Sequence, residues 1–268
     1  MKYLAPGKVN LGLWVVRKRD DGYHDIVTVF HKIPFYDEIT IEESDEFGVH
    51  CVGCPEGRGN SVYRAYKLLK EKTGVDIKLS VKIKKKIPMQ AGLGGGSSDA
   101  ATFIKAVNEM LDLNLSKEEM FDIGKRVGAD VPFFLIEENA AIGEGLGDRL
   151  TPFESSLKGL IEIYRPPFGV STGWAYSLID ALSLYTSYED AMASAVEIME
   201  LLREGKHPVK VENVFEKIVV EQHSELQEYK RRALSRGALI SLLSGSGSCM
   251  FSIYPRNEGL RLRYVEDI

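Results

Sequence analysis

The stretch Pro88-Met89-Gln90-Ala91-Gly92-Leu93-Gly94-Gly95-Gly96-Ser97-Ser98-Asp99 decides how the rest of the chain is read. Upstream of it, Leu79 to Ile87 alternates apolar and basic residues, as a half-buried strand does. Downstream, Ala100, Ala101, Ile104, Val107 and Leu111 recur at helical spacing. The order is therefore strand, glycine loop, helix start. Glycine lacks Cβ, so the backbone can approach an anion closely and turn through positive φ. The first helical turn then offers unpaired N–H groups and the positive end of a dipole. The segment reads as a cradle for the phosphates of a nucleotide. A merely flexible turn would also use glycine, but it has no need of a helix start this well formed.

Two familiar phosphate loops are excluded. No lysine follows the last glycine, so the G-x-x-x-x-G-K-[ST] pattern fails. Ser97 stands where G-x-G-x-x-G requires its third glycine after Gly92 and Gly94.

The chain has 268 residues, enough for one large domain or two ordinary ones. With 44% hydrophobic and 27% charged residues it has the make-up of a soluble globular protein. A net charge of −5 with no basic tail argues against nucleic acid as a partner. The Lys82 to Lys86 run reads as the solvated face of a strand. No stretch has the roughly 20 apolar residues of a membrane span, and the N-terminus is too polar for a signal peptide, so a cytoplasmic location is expected. Three cysteines do not suit a disulfide framework. Cys51-x-x-Cys54, preceded by His50, lacks the second ligand pair of a zinc site and is expected to hold two incidental thiols.

Along the chain, strands are expected at Val9 to Val16, Ile26 to Ile33 and Asp37 to Ile41. A helix around Val62, Ala65, Tyr66 and Leu69 should end near Gly74. Ser116 and Glu119 make a capping box for another. Gly128-Ala129-Asp130-Val131-Pro132-Phe133-Phe134-Leu135-Ile136 reads as a sharp turn into an apolar strand. Asp130 there is either a cap or a functional acid at the edge of a core. A boundary is placed near Pro152, giving domains 1–152 and 153–268. The second half should hold a strand at Leu160 to Tyr164 and helices over Tyr188 to Glu204 and Val214 to Ser235, the latter after an Asn213 cap. Two strands should then flank a second flexible loop, Ser244-Gly245-Ser246-Gly247-Ser248. The grouping of strands and helices predicts an α+β class with two domains.

Lys8 by itself reads as an ordinary surface lysine. Asp20-Asp21-Gly22-Tyr23-His24 is a hairpin turn by itself, and beside a nucleotide cradle it could stack on a base and hydrogen-bond to it.

Taken together, Pro6-Gly7-Lys8-Val9-Asn10-Leu11, Asp21-Gly22-Tyr23-His24, Pro88 to Asp99, Gly128 to Phe134 and Leu243 to Ser248 resemble the GHMP kinase superfamily from residue 5 to about residue 254. The resemblance implies a fold in which an N-terminal domain like ribosomal protein S5 domain 2 meets a ferredoxin-like C-terminal domain, with the active site in the cleft between them. It implies ATP-dependent phosphorylation of a small alcohol, with ATP and Mg²⁺ as cofactors. The Asp-Gly-Tyr-His and Gly-Ala-Asp-Val-Pro-Phe motifs resemble the branch whose acceptor is a cytidylyl sugar alcohol of isoprenoid precursor synthesis. Mevalonate-, homoserine- or sugar-type kinases are the alternative. Carried over by position, Asp130 is the general base and Lys8 its cationic neighbour. Pro88 to Ser98 wrap the ATP phosphates. Tyr23 and His24 hold the cytosine, and Asn10 lies near the diphosphate or hydroxyl end. Tyr176 closes the other face of the base, and the loop of Gly245 and Ser246 covers the transferring group. No metal ligand is singled out, and the oligomeric state is left open.

Overall fold

The computed structural model describes residues 1–208 and 210–266. By internal contacts the chain divides into two units that interleave along the sequence. The first comprises Met1–Gly7, Phe35–Met89 and Gly94–Glu137; the second comprises Lys8–Pro34, Gln90–Leu93 and Glu138–Ile268. Two long strands, β1 (Lys2–Lys18) and β2 (His24–Glu43), run through both. They pair with each other across the tight turn at residues 19–23.

Ile26 to Ile33 and Asp37 to Ile41, expected as separate strands, are parts of β2. Pro34 does not break it, because β2 changes partner there. The β2 ladder with β5 uses Ile26 to His31, and that with β4 uses Glu38 to Glu43. A proline between two ladders removes a donor that neither needs.

In the first unit, β3 (Gly48–Cys51) lies parallel to β4 (Leu79–Lys84), and β4 antiparallel to the second half of β2. Helix α1 (Ser61–Thr73) starts on an Asn60 cap, not singled out in the sequence, and ends as predicted at Gly74, which is in the left-handed region. Helices α2 (Gly95–Met110) and α3 (Lys117–Val127) follow, α3 with both arms of the Ser116/Glu119 capping box formed. They bury Val62, Leu69, Phe103, Ile104, Val107 and Ile123. The apolar run after Asp130 is not a strand but a one-turn helix, α4 (Val131–Leu135), with all five residues buried. A wholly buried run has no periodicity to tell strand from helix. Pro132 fits a first turn, whose N–H groups need no partner. Cys51 and Cys54 are joined as a disulfide rather than left as thiols. The turn between them brings their Cα atoms to 5.6 Å, within bridging range.

In the second unit, β5 (Ala140–Gly145) pairs with the first half of β2 and with β6 (Arg149–Phe153). β7 (Lys158–Tyr164) heads the α+β segment expected there. It is followed by α5 (Thr172–Leu182), which sequence reading missed although Ser171 caps it and Ala175 and Ile179 form its buried stripe. Helix α6 (Tyr188–Arg203) is as expected. The single helix predicted over Val214 to Ser235 is two, α7 (Glu216–Gln222) and α8 (Ser224–Ser235), because His223 is extended. β8 (Ile240–Leu243) and β9 (Met250–Gly259) flank the second glycine loop, and β10 (Arg261–Val265) adds an edge. The four strands lie in the order β10-β7-β9-β8. Their core packs Tyr164, Ile179, Phe215, Ile218, Leu226 and Tyr229. Among the described residues no helix is long and apolar enough to cross a membrane.

Candidate functional site

The first glycine loop has two ends and a tip. Its backbone turns through positive φ at Gln90 (53°), Gly92 (77°) and Gly94 (69°). Gly94 is the N-cap of α2 and offers no side-chain cap, so Ser97 and Ser98 lie inside the helix rather than at its cap. The first helical bond runs from Ser98 N to Gly94 O at 2.9 Å. The amides before it therefore have no acceptor within the helix. Ser61 Oγ donates to Gly96 O at 2.5 Å and ties the start of α1 to this turn.

Beneath the turn lies a cluster that the sequence did not announce. The Lys85 ammonium pairs with Asp37 and, at 2.8 Å, with Asp99. Asp37 is fully buried, and its other oxygen accepts from Lys86 N at 2.6 Å and Ile87 N at 2.9 Å. Burial first, and then the nearby Asp37, push the Asp99 carboxyl up to about 7 against the pull of Lys85. Burial opposes the charge on Lys85, yet the two carboxylates raise its pKa overall. Ser98 Oγ and Asp99 Oδ1 are buried with no hydrogen-bond partner among the described residues. The Ser98 hydroxyl, an oxygen donor with no partner, suits a hard, oxygen-seeking cation such as Mg²⁺ better than it suits a dry core.

The tip, Gln90 to Leu93, belongs to the second unit and interlocks there with the second loop. Ser244 Oγ donates to Gly92 O at 2.9 Å, Cys249 N to Ala91 O at 3.3 Å, and Lys8 N to Leu93 O at 2.9 Å. A Cβ at Gly92 would overlap the Ser244 carbonyl, so only glycine fits. Two asparagines hold the second loop. Asn213 Nδ2 donates to Leu243 O and Gly245 O, both at 2.8 Å, while its Oδ1 accepts from Phe215 N at 3.0 Å. Asn10 Oδ1 accepts from Gly245 N at 2.9 Å and from Lys8 Nζ at 2.7 Å, and its Nδ2 donates to Thr28 Oγ1 at 2.8 Å. An ammonium and an amide N–H can only donate, which fixes the orientation of the Asn10 side chain. Lys8 is not a surface lysine: it is 4% exposed, with its ammonium 5.3 Å from the centre of the Phe30 ring. Ser246 Oγ meets Thr172 Oγ1 at 2.9 Å.

Tyr23 and His24 lie after the β1–β2 turn with opposite exposures. Tyr23 is 63% exposed and His24 only 8%. Tyr176, from α5, stacks on the His24 ring at 4.5 Å between centroids. His24 Nε2 meets Asp180 Oδ1 at 2.6 Å. A carboxylate only accepts, so Nε2 carries a proton, and in the neutral tautomer this leaves Nδ1 as the acceptor. Asp180 is held well below the usual carboxylate range by hydrogen bonds from Lys18 first, then Tyr185, then His24.

Asp130 precedes α4 in helical φ/ψ, half-buried, and its side chain makes no cap bond. Its side chain therefore does not cap α4. Asp37, Thr28 and Asp180 escaped sequence reading because each is a single polar residue within an ordinary strand or helix. Asn213 was noticed as a cap, but its bonds to the second loop were not foreseen.

Two family models match the chain: GHMP kinases N terminal domain over residues 60–138 and GHMP kinases C terminal over residues 190–263. Fold and motif-bearing loops thus define a GHMP kinase, an ATP-using phosphotransferase with the two-domain fold of that class. The chain is 38% identical over 256 residues to a 4-diphosphocytidyl-2-C-methyl-D-erythritol kinase of Thermodesulfovibrio yellowstonii, covering 93% of this chain and 88% of that protein. It is 40% identical over 252 residues to one of Persephonella marina, covering 92% and 89%. The crystal structure of a 4-(cytidine 5′-diphospho)-2C-methyl-D-erythritol kinase superposes with a TM-score of 0.79 at 35% identity, over 94% of this chain and 90% of that one. The chain belongs to the 4-diphosphocytidyl-2-C-methyl-D-erythritol kinase family. A homoserine kinase of Cytophaga hutchinsonii, TM-score 0.67 at 18% identity, covering 96% of this chain and 85% of that one, shares the fold alone.

Proposed function

We propose that the chain transfers the γ-phosphoryl group of ATP to the 2-hydroxyl of 4-(cytidine 5′-diphospho)-2-C-methyl-D-erythritol, supplying a step of isoprenoid precursor synthesis. The observation that carries the reading is its likeness to kinases of that name, which runs through both motif-bearing halves of the chain. Mevalonate and homoserine kinases share only the fold. Residues 1–152 form the ATP-binding part and 153–268 the remainder.

Phosphoryl transfer asks the protein for positioning and charge stabilisation more than for covalent chemistry. Pro88 to Ser98 take the triphosphate, the unpaired amides of the first α2 turn meeting its oxygens. The Ser97 or Ser98 hydroxyl would help to hold Mg²⁺, which would supply further positive charge beside the triphosphate. Lys8 contributes a buried cation, oriented by Asn10. Asp130 accepts the proton of the acceptor hydroxyl. Tyr23 stacks on the cytosine, while the acceptor Nδ1 of His24 receives the base's exocyclic amine, a group that uracil lacks. Gly245 and Ser246 cover the reacting group, and Tyr176 supports the base through His24.

The test is ADP release with a panel of alcohols. The cytidylyl methylerythritol should turn over, while mevalonate, homoserine, galactose and the uridylyl analogue should not. Comparable turnover of mevalonate or homoserine would overturn the substrate assignment. Asp130→Asn should keep ATP binding and lose about 10²–10⁴-fold in kcat. Near-normal kcat in that variant would remove Asp130 from the base role.

A further inference from the structure

The Lys85 cluster lies outside the residues assigned to either substrate, yet it touches both ends of the first glycine loop. At the entrance, Asp37 accepts from Lys86 N and Ile87 N, the last two amides before Pro88. At the exit, Lys85 Nζ donates to Asp99 in the second turn of α2 at 2.8 Å. Asp37 and Lys85 also pair with each other, so one ammonium between two carboxylates joins entrance to exit. The cluster packs directly under the first residue of α2. A Cβ on Gly95 would lie 3.0 Å from Ile87 Cγ2, 3.1 Å from Lys85 Nζ and 3.2 Å from Asp37 Oδ2. All of these groups lie in the first unit.

The placement is hard to account for as stabilisation alone. Three ionisable side chains, none more than 11% exposed, stand where apolar packing would do. Buried ion pairs are often no better for stability than well-packed apolar residues, and their best-attested use is to fix one geometry. Here the geometry fixed is that of the loop's two ends. A flexible glycine loop must lose conformational freedom when it closes on a ligand, and a loop held beforehand loses less.

The geometry points to Lys85, Asp37 and Asp99 as positioning residues that clamp the ends of the phosphate loop and preform its anion-binding amides before ATP arrives. They do not touch the nucleotide. Their effect reaches it only through the backbone of residues 86–88 and 94–97, so it falls on the phosphates and not on the adenosine moiety. This builds on the assignment of ATP to residues 88–98.

The experiment compares dissociation constants for ATP and adenosine in the full-length protein. Lys85→Met breaks the clamp. Lys85→Met/Asp99→Leu breaks it while removing one charge of each sign, leaving Asp37 its two backbone donors. Lys85→Arg keeps it. Folding is checked by a cooperative thermal transition. The clamp predicts that the folded double variant binds ATP about tenfold or more weakly, binds adenosine within about twofold of the parent, and that the arginine variant stays within about threefold for both. ATP affinity in the double variant within about twofold of the parent would overturn the proposal, as would equal weakening of ATP and adenosine, the mark of a merely structural role. Gly94→Val separates this from the reading beneath it: unchanged ATP affinity there would mean that the loop does not hold ATP at all, and the clamp would fall with it. Amide exchange in the ligand-free parent gives a readout that needs no variant. Lys86 and Ile87 should be protected and gain little further protection with ATP, whereas free exchange at both before ATP is added would sink the clamp.

Discussion

The two glycine loops, 88–96 and 244–248, have similar compositions but are held in different ways. The first ends on a helix and sits over a buried ion cluster whose members come from strand, loop and helix. The second joins two strands, has no helix behind it, and is held by the amide side chains of Asn10 and Asn213. A buried ion cluster braces the ends of the first, while amide side chains brace the second. That division suits their proposed tasks. Helix amides preset for an anion gain from a rigid frame. A loop that covers a reacting group must move, and neutral bonds are more easily remade than a buried ion pair.

The sharpest way to break the comparison is at their contact, Gly92 on Ser244. Gly92→Ala places a Cβ against the Ser244 carbonyl at a φ of 77°, so both loops must shift. It should lower stability by about 2–4 kcal/mol in chemical denaturation and weaken ATP binding. Gly96→Ala is the control, since its Cβ would meet only Ser61 Oγ at 3.4 Å and its φ is not positive. It should change stability by less than about 1 kcal/mol. If the two glycines respond alike, the interlocked tip has no special role.

Next in size is His31, which lies in the unit that holds the second loop. Its Nδ1 bonds to the Lys32 carbonyl at 2.6 Å, so that nitrogen carries the proton and Nε2 accepts from Ser155 Oγ at 2.9 Å. Burial lowers its pKa from 6.5 to about 4. The unfolded chain therefore takes up a proton near pH 6.5, while the folded chain resists until near pH 4. Stability is present in full above 6.5 and lost as pH falls through that window, by roughly 3 kcal/mol. Unfolding free energies at pH 7 and pH 4, in the parent and in His31→Gln, measure this. An equal acid response in the two proteins would remove His31 as the cause.

The smallest effect is expected at the second loop's anchor. Asn213→Ala removes donors to Leu243 O and Gly245 O and an acceptor for Phe215 N. It should lower stability by about 1–3 kcal/mol and raise the KM of the cytidylyl substrate more than that of ATP. A larger effect on ATP would mean that the two loops do not divide the work as proposed.

Legibility followed the distance between partners in the sequence. The first loop was readable because strand, glycines and helix start are contiguous, and Ser116 and Gly74 were readable because caps act within a few residues. The α4 segment was misread because a fully buried run carries no period. Asp37 looked like an unremarkable strand position, and the role of Asn10 in bracing the second loop could not be read, since its partner there lies 235 residues away.

From its residue order alone the chain determined its α+β class, several helix ends, the strand–glycine loop–helix order at residues 79–110 and the kinase family, because these depend on local backbone preferences and on short motifs. Tertiary structure decided which side chains stand behind the motifs: the ammonium under the first loop, the amides bracing the second, the carboxylate setting the His24 tautomer. The physical reason is burial. A polar group removed from water must find a partner wherever the fold brings one, and no local pattern records where that will be.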